Sequence, residues 1–332
     1  MAGSSPEKIA IIGAGMAGLT CATSLTLSVP DVHVFEQALH PGGRMGVIRE
    51  RGFEFDAGTQ YFTAQDERFA MAVDGWLDEG VVQPWSAWVV ELERGNFLAR
   101  PPEARYVAVP HMGGLSQHLA ELCTRVEYGT PVERLEKQAS GWRLYDRFGT
   151  DLGCFDLVVT AVPPAEAMRL LGEAAPDLGL MLTGQAMSAC WTLLVGSDDG
   201  LPLMFDAAFI GNSPLRWAAR NNSKPGRAPR EAWVLQATPE WSEAHLDDTP
   251  DDVAGALWHA FEEAAGGLPG VRPQVRRAEL WREAQPIAGL EQPFLFDAQN
   301  GVAACGDWCL GPRVEAAFLS GLALADRILQ DV

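Results

Sequence analysis

The run Lys8-Ile-Ala-Ile-Ile12 leads directly into Gly13-Ala-Gly15-Met-Ala-Gly18, and few local patterns constrain a fold as tightly. Five β-prone residues without polar alternation read as a parallel strand buried on both faces. Residues 19–27 then read as a helix, and Val32–Phe35 as a second strand ending at Glu36, eighteen residues after Gly18. In this strand–turn–helix–strand–acid order each glycine has its own task. Gly13 allows the tight turn, Gly15 lets backbone approach a pyrophosphate, and Gly18 packs helix against strand. The uncapped N–H groups of the helix face the phosphates. Glu36 stands where an acid grips ribose hydroxyls. A glycine-rich turn that binds nothing is the alternative, and the full context disfavours it. An acid here selects free ribose hydroxyls, hence FAD or NAD. Pro41-Gly42-Gly43-Arg44-Met45 then tips the choice to FAD, because Arg44 is suited to a charge-assisted contact with a pyrophosphate. The candidate cofactor contacts at this end are Gly13, Gly15, Met16, Ala17, Gly18, Glu36, Gln37, Gly43, Arg44, Met45 and, further along, Val132.

Far away in sequence, Val302-Ala-Ala-Cys-Gly-Asp307 has the form of a strand closing on a Gly-Asp turn, followed by a helix over 314–329. Asp307 is placed to accept from a ribityl hydroxyl or to help position the phosphates, with a helix cap as its plainer role. The helix would aim its positive end at the flavin edge that gathers charge on reduction. Between these ends, Gly52–Gly58, Thr130–Leu135, Gly141–Tyr145, Phe155–Pro163 and Trp233–Ala237 read as strands. Residues 187–211 are β-like, while 115–122, 167–182 and 251–265 read as helices. The expected fold is α/β plus α+β. A Rossmann-type FAD domain formed by 1–59, 109–166 and 296–332 is interrupted by a mixed-sheet substrate domain formed by 60–108 and 167–295.

Composition removes several function classes. A net charge of −19 repels nucleic acid and anionic membrane surfaces. No apolar run approaches the roughly 18–20 residues that span a bilayer, and the N-terminus lacks a secretory pattern. The six cysteines are scattered and read as reduced thiols, so a cytoplasmic protein is expected. The six histidines are not clustered, so no metal site is expected.

The candidate catalytic residues are Gln60 and Tyr61, directly after the Asp56-Ala-Gly58 turn where the chain should cross between domains, with Arg220, Asn221 and Trp281. Tyr61, Phe62, Trp281 and Trp308 serve either as an aromatic wall or as core. Asn221 could hydrogen-bond a carboxamide. From Arg216 to Arg230 there are five basic residues, Arg216, Arg220, Lys224, Arg227 and Arg230, and no acid. The segment is either an anion-steering patch or a solvated loop. Only three lysines exist, Lys8, Lys137 and Lys224, and only Lys224 sits where it could assist an amine oxidation through water.

Taken together, these motifs make the chain resemble the renalase family, most closely its bacterial members, over essentially the full length. The resemblance rests on the glycine loop, on Gly42-Gly43-Arg44-Met45, on Gly58-Thr59-Gln60-Tyr61-Phe62-Thr63 and on Trp217-Ala-Ala-Arg-Asn221 with Ser223-Lys-Pro225. It also rests on Cys305-Gly-Asp-Trp-Cys309 with Arg313-Val314-Glu315-Ala316. Each piece is shared with the wider flavin amine oxidase superfamily; the combination is specific. Trp281-Arg-Glu-Ala284 departs from the Trp-x-Tyr-Ala of bacterial members by loss of a flavin-facing aromatic. The resemblance implies a p-hydroxybenzoate-hydroxylase-like fold with noncovalent FAD, and it adds Gly58, Thr59, Gln60, Arg313, Val314, Glu315 and Ala316 to the cofactor contacts. The implied reaction oxidises dihydro-NAD(P) isomers reduced at nicotinamide position 2 or 6 to NAD(P)+, with O2 reduced to hydrogen peroxide. The small-molecule partners are then a dinucleotide and O2. Two alternatives stand beside it: a flavin amine oxidase or desaturase-like oxidoreductase, and a non-catalytic FAD-binding protein.

Overall fold

A computed structural model describes residues 6–173 and 175–330. Its first sheet has six strands in the order Leu295–Asp297, Val302–Ala304, Leu157–Thr160, Lys8–Ile12, Asp31–Phe35 and Arg125–Glu127. All neighbours are parallel except the first pair. The strand Lys8–Ile12 shows why it is apolar from Ile9 onward. Ile9 and Ile11 enter the cluster beneath the helices Met16–Leu25 and Val314–Leu329, while Ala10 and Ile12 enter the cluster on the opposite face. That second cluster holds Trp142, Leu144 and Phe155 of a three-stranded meander, with Leu170 and Leu171 of the helix Pro164–Leu171. A strand covered on both sides keeps no polar face, so period-2 alternation disappears. The helices Met16–Leu25 and Val314–Leu329 pack closely on each other on the first face.

The second sheet has seven strands in the order Val275–Pro286, Met187–Ser197, Glu231–Ala237, Leu215–Arg220, Ala207–Ile210, Val89–Glu93 and Asn96–Ala99. It is antiparallel apart from the Ala207–Ile210/Val89–Glu93 pair. One face buries Leu193, Val195, Trp233 and Leu235 under Leu257 and Phe261 of the helix Pro250–Ala264. Thr249 caps that helix by accepting from Asp252 N–H. The other face carries Trp217 and Ala219 toward the first domain, and Leu194 and Val234 against Phe53 and Phe55.

Several elements differ from expectation. The strand Val275–Pro286 is twelve residues long and was not foreseen. Its sequence, VRRAELWREAQP, shows no sustained apolar alternation because residues 280–285 border a cavity rather than a core. Helix Glu67–Asp78, not read from the sequence, buries Phe69, Val73 and Trp76 in the cluster beneath the two Rossmann helices. The single helix expected over 167–182 is two, Pro164–Leu171 and Pro176–Thr183. Pro176 cannot continue a helix and instead starts one, its missing N–H being an orphan there anyway. No described helix is long and apolar enough to cross a membrane.

Candidate active site

The two sheets enclose a cavity of about 790 Å³, within the range of small-molecule sites. One end is Rossmann backbone: Gly13, Gly15, Met16, Ala17, Glu36, Gln37 and Val132 line it, with Gly43, Arg44 and Met45 beside them. Asp307, Arg313 and Val314 come from the closing motif. The other end is the second sheet, which supplies Cys190, Arg216, Trp217, Gln236 and 280–285. Gly58, Thr59, Gln60 and Tyr61 lie on the segment between the two.

Sequence chemistry explains the Rossmann end. The helix Met16–Leu25 has Gly15 at its N-cap, no side-chain cap and no acid in its first turn, so its N–H groups remain open to a phosphate. A Cβ built on Gly15 or Gly43 meets nothing within 4 Å, whereas one on Gly18 would stand 2.1 Å from Gly13 O. Gly15 and Gly43 therefore line a cradle, and Gly18 is a packing contact. Glu36, 6% exposed, accepts from Ala14 N and Ala38 N at 2.8 Å each and keeps lone pairs for ribose hydroxyls. Arg44 and Asp307 form a bidentate pair at 2.8 and 2.7 Å, and Arg44 also donates to Ala284 O at 3.0 Å. Three of its five N–H bonds are used, leaving two for a phosphate. The two distant motifs thus hold each other. These features fit a bound FAD. Two orphaned donors also belong to the wall: Trp217 and Trp281 line the cavity, and their buried indole N–H groups have no acceptor among the described residues.

Beneath the turn after Phe53–Asp56 lies a buried ionic cluster. Asp56, fully buried, accepts from Lys224 Nζ at 3.0 Å, Arg227 Nη2 at 2.7 Å and Met112 N at 2.9 Å. Lys224 also donates to Gln60 Oε1 at 3.2 Å and Asn221 Oδ1 at 3.1 Å. Gln60 donates in turn to Asp56 O and Gly58 O, and Gln236 donates to Gly58 O at 2.7 Å. Burial favours the neutral form of the Asp56 acid, but Lys224 and Arg227 outweigh it and hold the carboxyl below its ordinary value. Burial lowers Lys224 from 10.5 to about 8, against the pull of Asp56. Between those values the unfolded chain keeps a proton that the native protein gives up, so native stability rises with pH across that window. Urea unfolding at pH values inside this window should show wild type gaining on Lys224→Met as pH rises; a flat or falling difference would refute the assignment.

Five expected site residues do not line the cavity. Gly18 serves helix packing. Arg220 donates to Leu203 O, lies 3.7 Å from Glu231 and stacks over Trp233, facing the far core. Asn221, 2% exposed, bonds Glu54 O, Asp56 N and Lys224, so it buttresses the turn and is not in reach of a substrate. Glu315, 1% exposed, accepts from Gln65 N at 2.6 Å and Asp66 N at 2.7 Å, and Ala316 is buried beside it. The steering patch is corrected likewise. Lys224 and Arg227 are consumed by Asp56, Arg220 by Glu231 and Arg230 by Asp198, which leaves only Arg216 on the cavity wall. Tyr61 does lie on that wall, with its ring 5.5 Å from Trp217 and under the Arg105 guanidinium at 5.1 Å.

Sequence reasoning overlooked Cys190, Phe209, Trp217, Gln236, Glu166 and Glu283 as site residues. No linear signal joins them. Cys190 meets Trp281, and Trp217 meets Gln236, only through strand register. Glu283, which takes the place of the missing aromatic, has its carboxyl raised by burial and partly restored by Arg44.

Comparison with known proteins agrees with this architecture. Residues 11–74 match the family model for an NAD(P)-binding Rossmann-like domain. A segment of 51 residues is 43% identical to 4,4'-diapophytoene desaturase of Staphylococcus aureus, covering 15% of this chain and 10% of that protein. A structure named as a protoporphyrinogen oxidase, from Exiguobacterium sp. 255-15, superposes with a TM-score of 0.79 over 99% of this chain and all of its own, at 13% identity. A cofactor-binding redesign of putrescine oxidase aligns with a TM-score of 0.74 over 98% and 99%, at 13% identity. Reduced UDP-galactopyranose mutase aligns with a TM-score of 0.77 over 98% and 94%, at 12% identity. The shared property is the fold, a Rossmann-like domain joined to a second, mixed-sheet domain. These likenesses stop short of renalase.

Proposed function

We propose that the protein is a FAD-dependent oxidoreductase that oxidises dihydronicotinamide dinucleotides reduced at ring position 2 or 6, with O2 as final acceptor. Gly15, Glu36, Gly43, Arg44 and Asp307 would hold the cofactor. Bound there, FAD supplies a two-electron acceptor for hydride. The observation that carries the substrate reading is the make-up of the other wall. Tyr61, Trp217 and Trp281 offer flat apolar surface, and no histidine or lysine among the described residues lines the cavity. A dihydronicotinamide becomes an aromatic cation on losing hydride, so it needs no base and is served by orientation alone. Lys224, the candidate for amine chemistry, is fully buried and reaches the cavity only through Gln60. Two features favour the competing reading: the segment shared with a polyene desaturase and the fold shared with putrescine oxidase. That reading requires turnover of a polyene or an amine.

The deciding experiment is anaerobic. The FAD-loaded protein is mixed with borohydride-reduced NAD+, which contains the 2-, 4- and 6-dihydro isomers, and absorbance is followed at about 450 nm. Rapid bleaching by the mixture but not by pure 4-dihydro NADH is expected. Bleaching by neither removes this function and leaves amine or polyene oxidation, or a non-catalytic FAD-binding role.

A further inference from the structure

Arg216 is the basic residue whose partners do not account for it. Among the other arginines at or beneath the site, Arg282 is exposed to water, and the rest each have a carboxylate: Arg44 has Asp307, Arg105 has Glu103, Arg220 has Glu231, Arg227 has Asp56 and Arg313 has Glu315. Arg216 is half-buried on the strand Leu215–Arg220 and lines the cavity. Its guanidinium donates to the neutral Gln285 Oε1 at 2.9 Å. Among the described residues its side-chain partner is this amide and not a carboxylate. Withdrawing a cation from water without a counter-ion is costly, and a protein of net charge −19 has no shortage of acids to place there. Its neighbours on the wall, Gln236 and Gln285, are neutral donors and acceptors. The position adjoins Trp217, whose indole N–H also lacks an acceptor.

We infer that Arg216 is the specificity residue of the site, taking a phosphate oxygen of the substrate while the aromatic wall takes its ring. This rests on the function proposed above and deepens it: the substrate is phosphorylated, and the charge that selects it is one guanidinium, not a basic segment.

The test compares wild type, Arg216→Ala and Arg216→Lys as FAD-loaded proteins. Three borohydride-reduced compounds are used: NAD+, nicotinamide mononucleotide and an uncharged N-alkyl nicotinamide. Arg216→Ala should lower kcat/KM about tenfold or more for the two phosphorylated compounds, chiefly through KM, and leave the N-alkyl compound within about twofold. Arg216→Lys should recover part of the loss. Equal losses on all three compounds overturn the inference, as does loss of flavin from Arg216→Ala, which would assign the residue to the cofactor. A second readout does not depend on turnover. Equilibrium dialysis of ADP-ribose against the FAD-loaded protein should show saturable binding that weakens about tenfold in Arg216→Ala. If no dihydronicotinamide bleaches the flavin, the proposed function fails, and this binding arm alone decides the inference: unchanged affinity refutes it.

Discussion

Asp56→Ala is expected to cost about 3–5 kcal/mol, the usual penalty for removing one partner of a buried ion pair. The reason lies in what remains. Lys224 and Arg227 have side-chain exposures of 0% and 1%, and both point at the missing carboxylate. The unfolded chain solvates both cations, while the variant must bury them unpaired. Domains of this kind are stable by only about 5–15 kcal/mol, so poor soluble yield or a sharply lowered melting temperature should result. The turn bearing Gly58, Thr59, Gln60 and Tyr61 would loosen with it, because Gln60 is held by Asp56 O and Lys224. Combining Asp56→Ala with Lys224→Met removes one stranded charge and should restore part of the loss. A melting temperature of Asp56→Ala equal to wild type would show that the buried ion cluster contributes nothing to stability. The contribution also has an acid limit. The Asp56 carboxyl titrates below its ordinary 3.8. Its stabilisation is therefore complete above that value and is lost as pH falls through the lower, native one.

The second large effect separates binding from folding. Gly15 has φ −79° and ψ 179°, extended backbone that any L residue adopts, and a side chain there meets nothing within 4 Å. Gly15→Val should therefore fold. Its side chain, however, would occupy the cradle at the open helix N-terminus, where a pyrophosphate needs close backbone approach. FAD affinity should fall more than about a hundredfold, equivalent to roughly 2.7 kcal/mol. Added FAD should raise the melting temperature of wild type by mass action and leave Gly15→Val unmoved. Gly18→Ala is the contrasting variant. Its Cβ would press 2.1 Å from Gly13 O, so it should lose about 1–3 kcal/mol of stability through overpacking. Wild-type FAD occupancy in folded Gly15→Val would refute the cradle assignment.

The two variants mark where local sequence is a sufficient guide. The packing role of Gly18 was legible in its spacing, since a strand–turn–helix of fixed geometry leaves each glycine one position to occupy, although its expected place among the cofactor contacts was not borne out by the cavity lining. The closing helix was legible to the residue, Val314–Leu329, because an amphipathic period of 3.6 carries its own boundaries. Arg44 and Asp307 were each legible as site residues, and both line the cavity, but their pairing across 263 residues was not legible. The strand Val275–Pro286 was illegible for the same reason that makes it useful: it borders a cavity, so its side chains follow the ligand and not the alternation of a core.

The basic segment Arg216–Arg230 shows the division most plainly. By itself, the sequence determined an α/β plus α+β pattern, a dinucleotide loop with its acid, and five cations between Arg216 and Arg230 without an acid among them. Only the tertiary structure decided what those cations do. Two turn inward to Asp56, 168 and 171 residues away, two pair with Glu231 and Asp198, and one faces the cavity. The physical reason is range. Backbone geometry, side-chain period and helix ends are set within about one or two turns of chain. The state of a charge depends on which partner and how much water the fold brings to it, and that is fixed only when distant strands find their register.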